Sequence, residues 1–246
     1  MTYVTRLLKG LWGLYAWLIF LFCVLFALIV VTFVPGLSRR RRLTTAVARV
    51  CFTLSGIKVR TSGLETLPDG HCVVVANHAS YVDGPLLKGF LPPRFSFVIK
   101  GEMRNIPVVH FMLRRAGSKF VERFTAAGSA RDARQIVKAA KDGQSLAFFP
   151  EGTFIKETGI GRFRPGAFSS AIMGELPVVP VAIGGTREMM PSGRLLPTLC
   201  RLSIQVLPPI FPDDPAFADN RQLAEAARQA IIAALDEPDL LEKEAQ

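Results

Sequence analysis

The stretch Cys72-Val73-Val74-Val75-Ala76-Asn77-His78-Ala79-Ser80-Tyr81-Val82-Asp83 decides how the rest of the chain is read. Cys72 to Ala76 is a short apolar, β-branched run, the pattern of a buried strand. Gly84-Pro85-Leu86-Leu87 then reads as a helix start, with Asp83 as N-cap and Pro85 in the first turn. His78 therefore falls just past the carboxyl end of a strand, the edge of an open α/β sheet where ligands bind. Asp83 follows through a turn, close enough to fold back onto the imidazole. A carboxylate on one ring nitrogen fixes the tautomer and leaves the other nitrogen able to take a proton, as a general base must. No Ser or Cys in a nucleophile-elbow pattern accompanies the pair, so the attacking group is expected from the substrate. A His-x4-Asp taken alone reads first as a structural turn in which Asp83 caps a helix; the rest of the chain shifts that balance. His71, in a Pro-Asp-Gly turn, and His110, in an apolar helical run, lack this setting.

The chain has 246 residues, enough for one ordinary domain plus an appendage. Half its residues are hydrophobic and its mean hydropathy is +0.31, high for a soluble enzyme. The cause is local: the 24 residues Leu11 to Val34 contain no charge. As a helix they would extend about 36 Å, against a hydrocarbon core of about 30 Å. The run is too long for a cleaved signal peptide and no small-residue cleavage site follows it. Trp12, Tyr15 and Trp17 sit near one end, as interfacial aromatics do. Pro35-Gly36 ends the helix and Arg39 to Arg42 follow, which places that side toward the cytoplasm and an anionic leaflet. Residues 43–55 are too short to span and read as an interfacial helix or one leg of a shallow hairpin. Residues 1–56 are thus expected to be a membrane anchor and residues 57–246 a catalytic domain.

The formal net charge is +10. Residues 213–246 hold nine acidic and three basic residues, so residues 1–212 carry a balance of +16. A basic body on an apolar anchor suits anionic lipid or phosphorylated substrates. Nucleic acid is not expected, because no zinc-finger spacing, basic helix or RNA-binding aromatic motif is present. Cys23, Cys51, Cys72 and Cys200 lie far apart in apolar runs without metal-ligand spacing, and read as buried free thiols.

From Ile57 onward, strand patterns at 57–61, 72–76, 95–100, 118–122, 145–149, 178–183 and 201–207 alternate with helical ones at 106–115, 128–141, 165–174 and 220–235. This predicts an α/β fold, a central, mostly parallel sheet with flanking helices. Several strand ends carry polar residues. Lys100 would point at an anion or simply be exposed. Gly117 permits a tight turn, Phe120 packs, and Arg123 forks onto a phosphate or pairs with Glu122 or Asp132. Glu151 and Gly152 form a turn whose N–H groups suit an oxyanion or a phosphate. Gly159-Ile160-Gly161-Arg162-Phe163-Arg164-Pro165 is a basic, glycine-rich loop entering a helix. Pro180 predicts an edge, a bulge or a strand boundary.

Together these blocks resemble the lysophospholipid acyltransferase family, in particular its bacterial 1-acyl-sn-glycerol-3-phosphate acyltransferases. The resemblance rests on Asn77, His78 and Asp83, then Gly117, Phe120, Val121, Glu122 and Arg123, then Phe149 to Thr153, then Val179, Pro180 and Val181. Many relatives have an arginine after Glu-Gly-Thr, where this chain has Phe154. The resemblance implies that His78 deprotonates a lysophospholipid hydroxyl while Asp83 orients it. It further implies that the hydroxyl attacks an acyl thioester of coenzyme A or acyl carrier protein, with no metal or cofactor. The substrate-binding set it implies begins with Asn77, Ser80, Lys100, Gly117, Phe120 and Arg123. It continues with Glu151, Gly152, Thr153, Arg162 and Arg164, the last two standing in for the arginine that Phe154 replaces. Anionic membrane lipid is the expected surface, the bacterial inner membrane the expected location, and its cytoplasmic face the side of catalysis. The acceptor is expected to be 1-acyl-sn-glycerol-3-phosphate. The alternatives are an ornithine lipid or another lysoglycerophospholipid, then a lipid hydrolase or a non-catalytic lipid binder.

Overall fold

Val73–Ala76 folds as a fully buried strand at the centre of a seven-stranded sheet. The computed structural model describes residues 3–122, 126–154, 157–235 and 237–244. Two helices, α1 (Tyr3–Phe33) and α2 (Leu37–Leu54), precede β1 (Val59–Ser62), β2 (Val73–Ala76) and α3 (Asp83–Phe90). Then come β3 (Ser96–Lys100), α4 (Pro107–Arg115), β4 (Lys119–Val121), α5 (Ala126–Lys141) and β5 (Leu146–Phe148). The chain closes with α6 (Gly166–Gly174), β6 (Val178–Gly184), the single turn α7 (Thr186–Met189), β7 (Leu202–Val206), α8 (Asn220–Ala234) and α9 (Leu240–Glu244). The strand order is β1-β7-β6-β2-β5-β3-β4, parallel everywhere except between β6 and β7.

The continuous valine run is explained by burial on both faces. Val73 and Val75 join a cluster with Ile136, Ala139, Phe168, Leu223 and Ile231 from α5, α6 and α8. Cys72, Val74 and Ala76 face the other way, onto Phe52 of α2 and Leu86 and Leu87 of α3. Each such side chain contributes about 1.5–3 kcal/mol on burial. The sheet therefore holds the β2 end rigidly from both sides.

Pro180 takes one of its three expected settings, beside a bulge. It lies in the interior strand β6, opposite Val75 of β2, neither at an edge nor at a strand boundary. Its carbonyl accepts from Leu207 N, and the β7 side pairs again only at Val178 with Ile210. The missing N–H thus faces Pro208-Pro209, where the neighbouring chain bulges away and needs no donor.

The arginine run, which follows the end of α1, forms the first turns of α2. Arg41 turns inward, donating to Arg94 O at 3.0 Å, Ala116 O at 3.3 Å, Gly117 O at 3.3 Å and the Ser96 hydroxyl. Arg49 Nε donates to Gly89 O at 3.1 Å. With Phe52 in the core, α2 packs against the sheet side that holds Val74 and Leu86. α1 runs back along α2, with Trp12 Nε1 donating to Ser55 O at 3.2 Å and the Tyr15 hydroxyl to Leu54 O at 2.9 Å.

Lys88 of α3 sits against this junction, its Nζ 3.4 Å from Arg41 O. Burial, and secondarily the Arg41 charge, push its ammonium down to about 8. Because the folded value lies below the unfolded one, the unfolded chain binds more protons between pH 8 and pH 10.5, and stability rises with pH across that window. Lys88→Met is therefore expected to raise the thermal midpoint in detergent at pH 7 by about 3 °C, a gain that shrinks toward pH 10. A pH series of melts on both proteins checks this; a pH-independent difference would contradict it.

Candidate active site

The carboxyl ends of β2, β5 and β6 are neighbours, and they bring the first and third sequence blocks together. His78 Nδ1 lies 2.8 Å from Asp83 Oδ2. The same oxygen accepts from Ala79 N at 2.7 Å and Ser80 N at 2.8 Å. Asp83 is therefore not the N-cap. It is the first residue of α3, Val82 holds the cap position, and the carboxylate folds back onto the preceding turn. Asp83 is buried, whereas the His78 side chain is 19% exposed, enough for its far nitrogen to meet a hydroxyl from outside. With Nδ1–H donated to Asp83, Nε2 keeps its lone pair.

Aromatic rings hold the imidazole from the sides. It stacks on Phe149 at 4.3 Å between centroids and meets Phe154 edge-on at 4.8 Å. Phe154 in turn meets the exposed Tyr81 edge-on at 4.7 Å. Phe149, Phe154 and Tyr81 thus form an aromatic wall beside His78.

Several residues expected to touch substrate make hydrogen bonds inside the protein. Asn77 is buried; its Nδ2 donates to Ile183 O at 3.0 Å and its Oδ1 accepts from Ile183 N at 2.8 Å, which pins the end of β2 to β6. The buried Ser80 hydroxyl donates to Met190 O at 2.8 Å and accepts from Val82 N at 3.2 Å. Glu151 accepts from His78 N at 2.7 Å through Oε1 and from Gly161 N at 3.2 Å through Oε2. Burial raises its pKa, opposed by those two hydrogen bonds. Glu151 fixes the backbone of His78. Gly152 N donates to Phe149 O at 3.0 Å, so that N–H closes the turn and is not held ready for an oxyanion.

The second block lies elsewhere. β4 is the edge strand, three strand spacings or about 14 Å from β2. Gly117, with φ +85, abuts α2: a Cβ there would lie 2.7 Å from Arg41 Nη2. Phe120 packs edge-on against His110 at 5.0 Å and beneath the Arg104 guanidinium at 5.5 Å. Asp132 accepts from Arg104 at 3.0 Å and from Glu122 N at 2.9 Å, which fixes the approach to the next residue. Arg123 itself lies outside the described residues. Lys100 is exposed at the end of β3, about 10 Å from β2. Thr153, Arg162 and Arg164 are exposed, and Arg164 N donates to Pro150 O at 2.9 Å, folding the basic loop back onto the Glu151 turn.

The residues that sequence reasoning missed hold that loop in place: Arg187, Arg228, Glu237 and Asp239. One signal was available. Arg228 shares the buried face of α8 with Leu223, Ala224, Ala227 and Ile231, a charge at a core position.

The Acyltransferase family model matches residues 58–184, the span that contains this constellation. The chain belongs to that family. A lyso-ornithine lipid O-acyltransferase of Pseudomonas aeruginosa is 33% identical over 80% of this chain and 79% of its own length. A chloroplastic 1-acyl-sn-glycerol-3-phosphate acyltransferase of Brassica napus is 35% identical over 55% of this chain, which spans only 40% of that relative. An algal counterpart from Chlamydomonas reinhardtii is spanned to 53%. The crystal structure of the 1-acyl-sn-glycerophosphate acyltransferase PlsC from Thermotoga maritima superposes with a TM-score of 0.77 at 25% identity, covering 98% of both chains. The two-helix N-terminus is therefore part of the shared architecture.

Proposed function

We propose that this acyltransferase moves a fatty acyl group from a thioester of coenzyme A or acyl carrier protein to the free hydroxyl of a lysophospholipid, with 1-acyl-sn-glycerol-3-phosphate as acceptor. The observation that carries the reading is the His78–Asp83 pair, oriented by Asp83 through Nδ1 and reachable at Nε2. Nε2 takes the hydroxyl proton as the oxygen attacks the thioester carbonyl. The tetrahedral intermediate collapses by breaking the C–S bond, and the proton passes to the departing thiolate. One ester and one thiol result, and the step as written uses no metal or cofactor. Base assistance of this kind is worth about 10²–10⁴ in rate. Lys100, Arg123, Arg162 and Arg164 supply the positive charge for a phosphate.

α1 supports membrane attachment, being 31 residues long and apolar enough to span. Its contacts favour a helix lying along the membrane surface. Trp17 Nε1 donates to Leu195 O at 2.7 Å, while Arg115 donates to Val31 O at 2.8 Å and Thr32 O at 3.2 Å. The same fold thus grips α1 at points about 20 Å apart along its axis. The exposed Leu195, Leu196 and Leu199 extend the apolar band on α1. The cytoplasmic face is the side proposed for the fold.

A second acceptor, a lyso-ornithine lipid, is favoured by one observation: Phe154 presents a ring where a phosphate-binding arginine would stand. The test is an acyl-transfer assay on the purified chain with lysophosphatidic acid, lyso-ornithine lipid and lysophosphatidylethanolamine, using both thioester donors. Phe154→Arg is expected to raise kcat/KM for lysophosphatidic acid relative to lyso-ornithine lipid about tenfold, the value of one charge-assisted hydrogen bond. An unchanged ratio would remove Phe154 from head-group selection.

A further inference from the structure

We propose that the C-terminal tail, residues 237–241, is a strap that positions the basic 157–164 loop and, through Glu151, the backbone of His78; the proposal rests on the acyl-transfer reading above. Arg187, Arg228 and Glu237 are its positioning residues.

Arg228 has the largest fully buried side chain among the described residues. Its Nε donates to Gly161 O at 3.0 Å, and its guanidinium also pairs with Asp239 and, at 2.9 Å, with Glu225. Gly161 N donates to Glu151 Oε2 at 3.2 Å. The Gly161 peptide is thus gripped from both sides, by a tail-paired arginine and by the carboxylate that holds His78 N. The tail runs beside the loop as a short parallel bridge: Ile160 N donates to Pro238 O at 3.0 Å, and Leu240 N to Ile160 O at 3.2 Å. A Cβ on Gly159 would lie 2.6 Å from Pro238 O, so the approach is closer than any other residue permits.

A second ion pair repeats the arrangement. Glu237 accepts from Gly159 N at 3.2 Å and from Arg187 at 3.1 and 3.3 Å. Arg187 donates as well to Glu157 O at 2.7 Å and Gly159 O at 3.2 Å. Burying a guanidinium is costly unless it is paired, and apolar side chains fill such volume at least as well. What the two arginines add is direction: each aims its donors at loop carbonyls while a tail carboxylate fixes the arginine. The loop so held carries Arg162 and Arg164 on its exposed side. Its register relative to Glu151 therefore sets where those cations stand with respect to His78.

Glu237→Gln tests this in the full chain. The amide keeps the shape and the acceptor for Gly159 N, and removes the charge that fixes Arg187. Steady-state kinetics, with lysophosphatidic acid and acyl-coenzyme A each varied in turn, are expected to show the acceptor KM raised about fivefold and the donor KM unchanged, as for loss of one partly buried contact. Hydrogen exchange of the 157–164 peptide is expected to accelerate while the thermal midpoint stays within about 2 °C. Arg228→Lys, which keeps the charge and loses the fork, is expected to give the same split more strongly. Equal rises in both KM values, or unchanged exchange in the loop, would overturn the strap. The exchange measurement needs no turnover. An inactive wild-type chain would therefore sink the acyl-transfer reading, while unchanged exchange would sink the strap independently.

Discussion

His78→Ala is expected to lower kcat for acyl transfer by about 10³-fold or more while leaving membrane binding intact, because positioned bases contribute about 10²–10⁴ and no second imidazole stands in this site among the described residues. Neither of the other two histidines substitutes. His110 packs against Phe120, beneath the edge strand, and His71 lies at the opposite, amino end of β2. The fold should tolerate the change, since the imidazole is partly exposed and its backbone is held by Glu151 rather than by its own ring. Removing the ring opens space beside Phe149 and Phe154, a local loss away from the valine core. Acceptor and donor KM should move by no more than a few fold, because the proton transfer belongs to the transition state rather than to binding. Kinetics on the purified variant, with circular dichroism to check folding, decide the matter. Near-normal turnover would remove His78 as the base.

Asp83→Asn is expected to lower kcat by about 10²–10³-fold, for a reason that only the structure supplies. Sequence spacing alone predicts that an amide would turn the imidazole to the wrong tautomer. In the fold, Asp83 Oδ2 accepts three N–H groups, from His78, Ala79 and Ser80. An asparagine oxygen takes that place, since an NH₂ there would oppose the two backbone donors. The tautomer is then kept and the charge is lost. A carboxylate about 4 Å from a developing imidazolium is worth roughly 4 kcal/mol at an effective dielectric of 20, which is about three powers of ten. The amide NH₂ falls where Oδ1 now lies, a buried atom without a hydrogen-bond partner among the described residues. That unsatisfied donor should cost stability of about 1–3 kcal/mol. The expected pattern is therefore a large loss of kcat together with a lower thermal midpoint. Loss of stability without loss of kcat would make Asp83 a turn residue alone.

Local chemistry was the legible part. A valine run ending in His-x4-Asp placed the base at the strand end because strand, turn and helix start all lie within about twelve residues. All seven strand ranges overlap a strand, and β2, β5 and β6, buried on both faces, carry the unbroken apolar signature. What the sequence did not show was the distant partner of each polar side chain. Asn77 looked like a ligand, yet it answers the backbone of Ile183, 106 residues away. Glu151 looked like part of a phosphate turn, yet its two oxygens serve His78 N and Gly161 N. Phe120 sits on the edge strand and Gly117 in the turn before it, because strand order, which sequence does not encode locally, places β5 and β3 between them and β2. Arg41 looked like a membrane-facing cation and is instead spent on four acceptors of the fold.

The central claim is that a lysolipid hydroxyl, activated at His78, takes the acyl group from a thioester. The most direct measurement counts both products on the purified wild-type chain. Thiol release is followed continuously, and ester and free fatty acid are quantified by mass spectrometry, with and without lysophosphatidic acid. The account predicts one new ester per thiol when acceptor is present, and little thiol or fatty acid when it is absent. Thiol released with an equal amount of free fatty acid, independent of acceptor, would contradict it and make water the nucleophile.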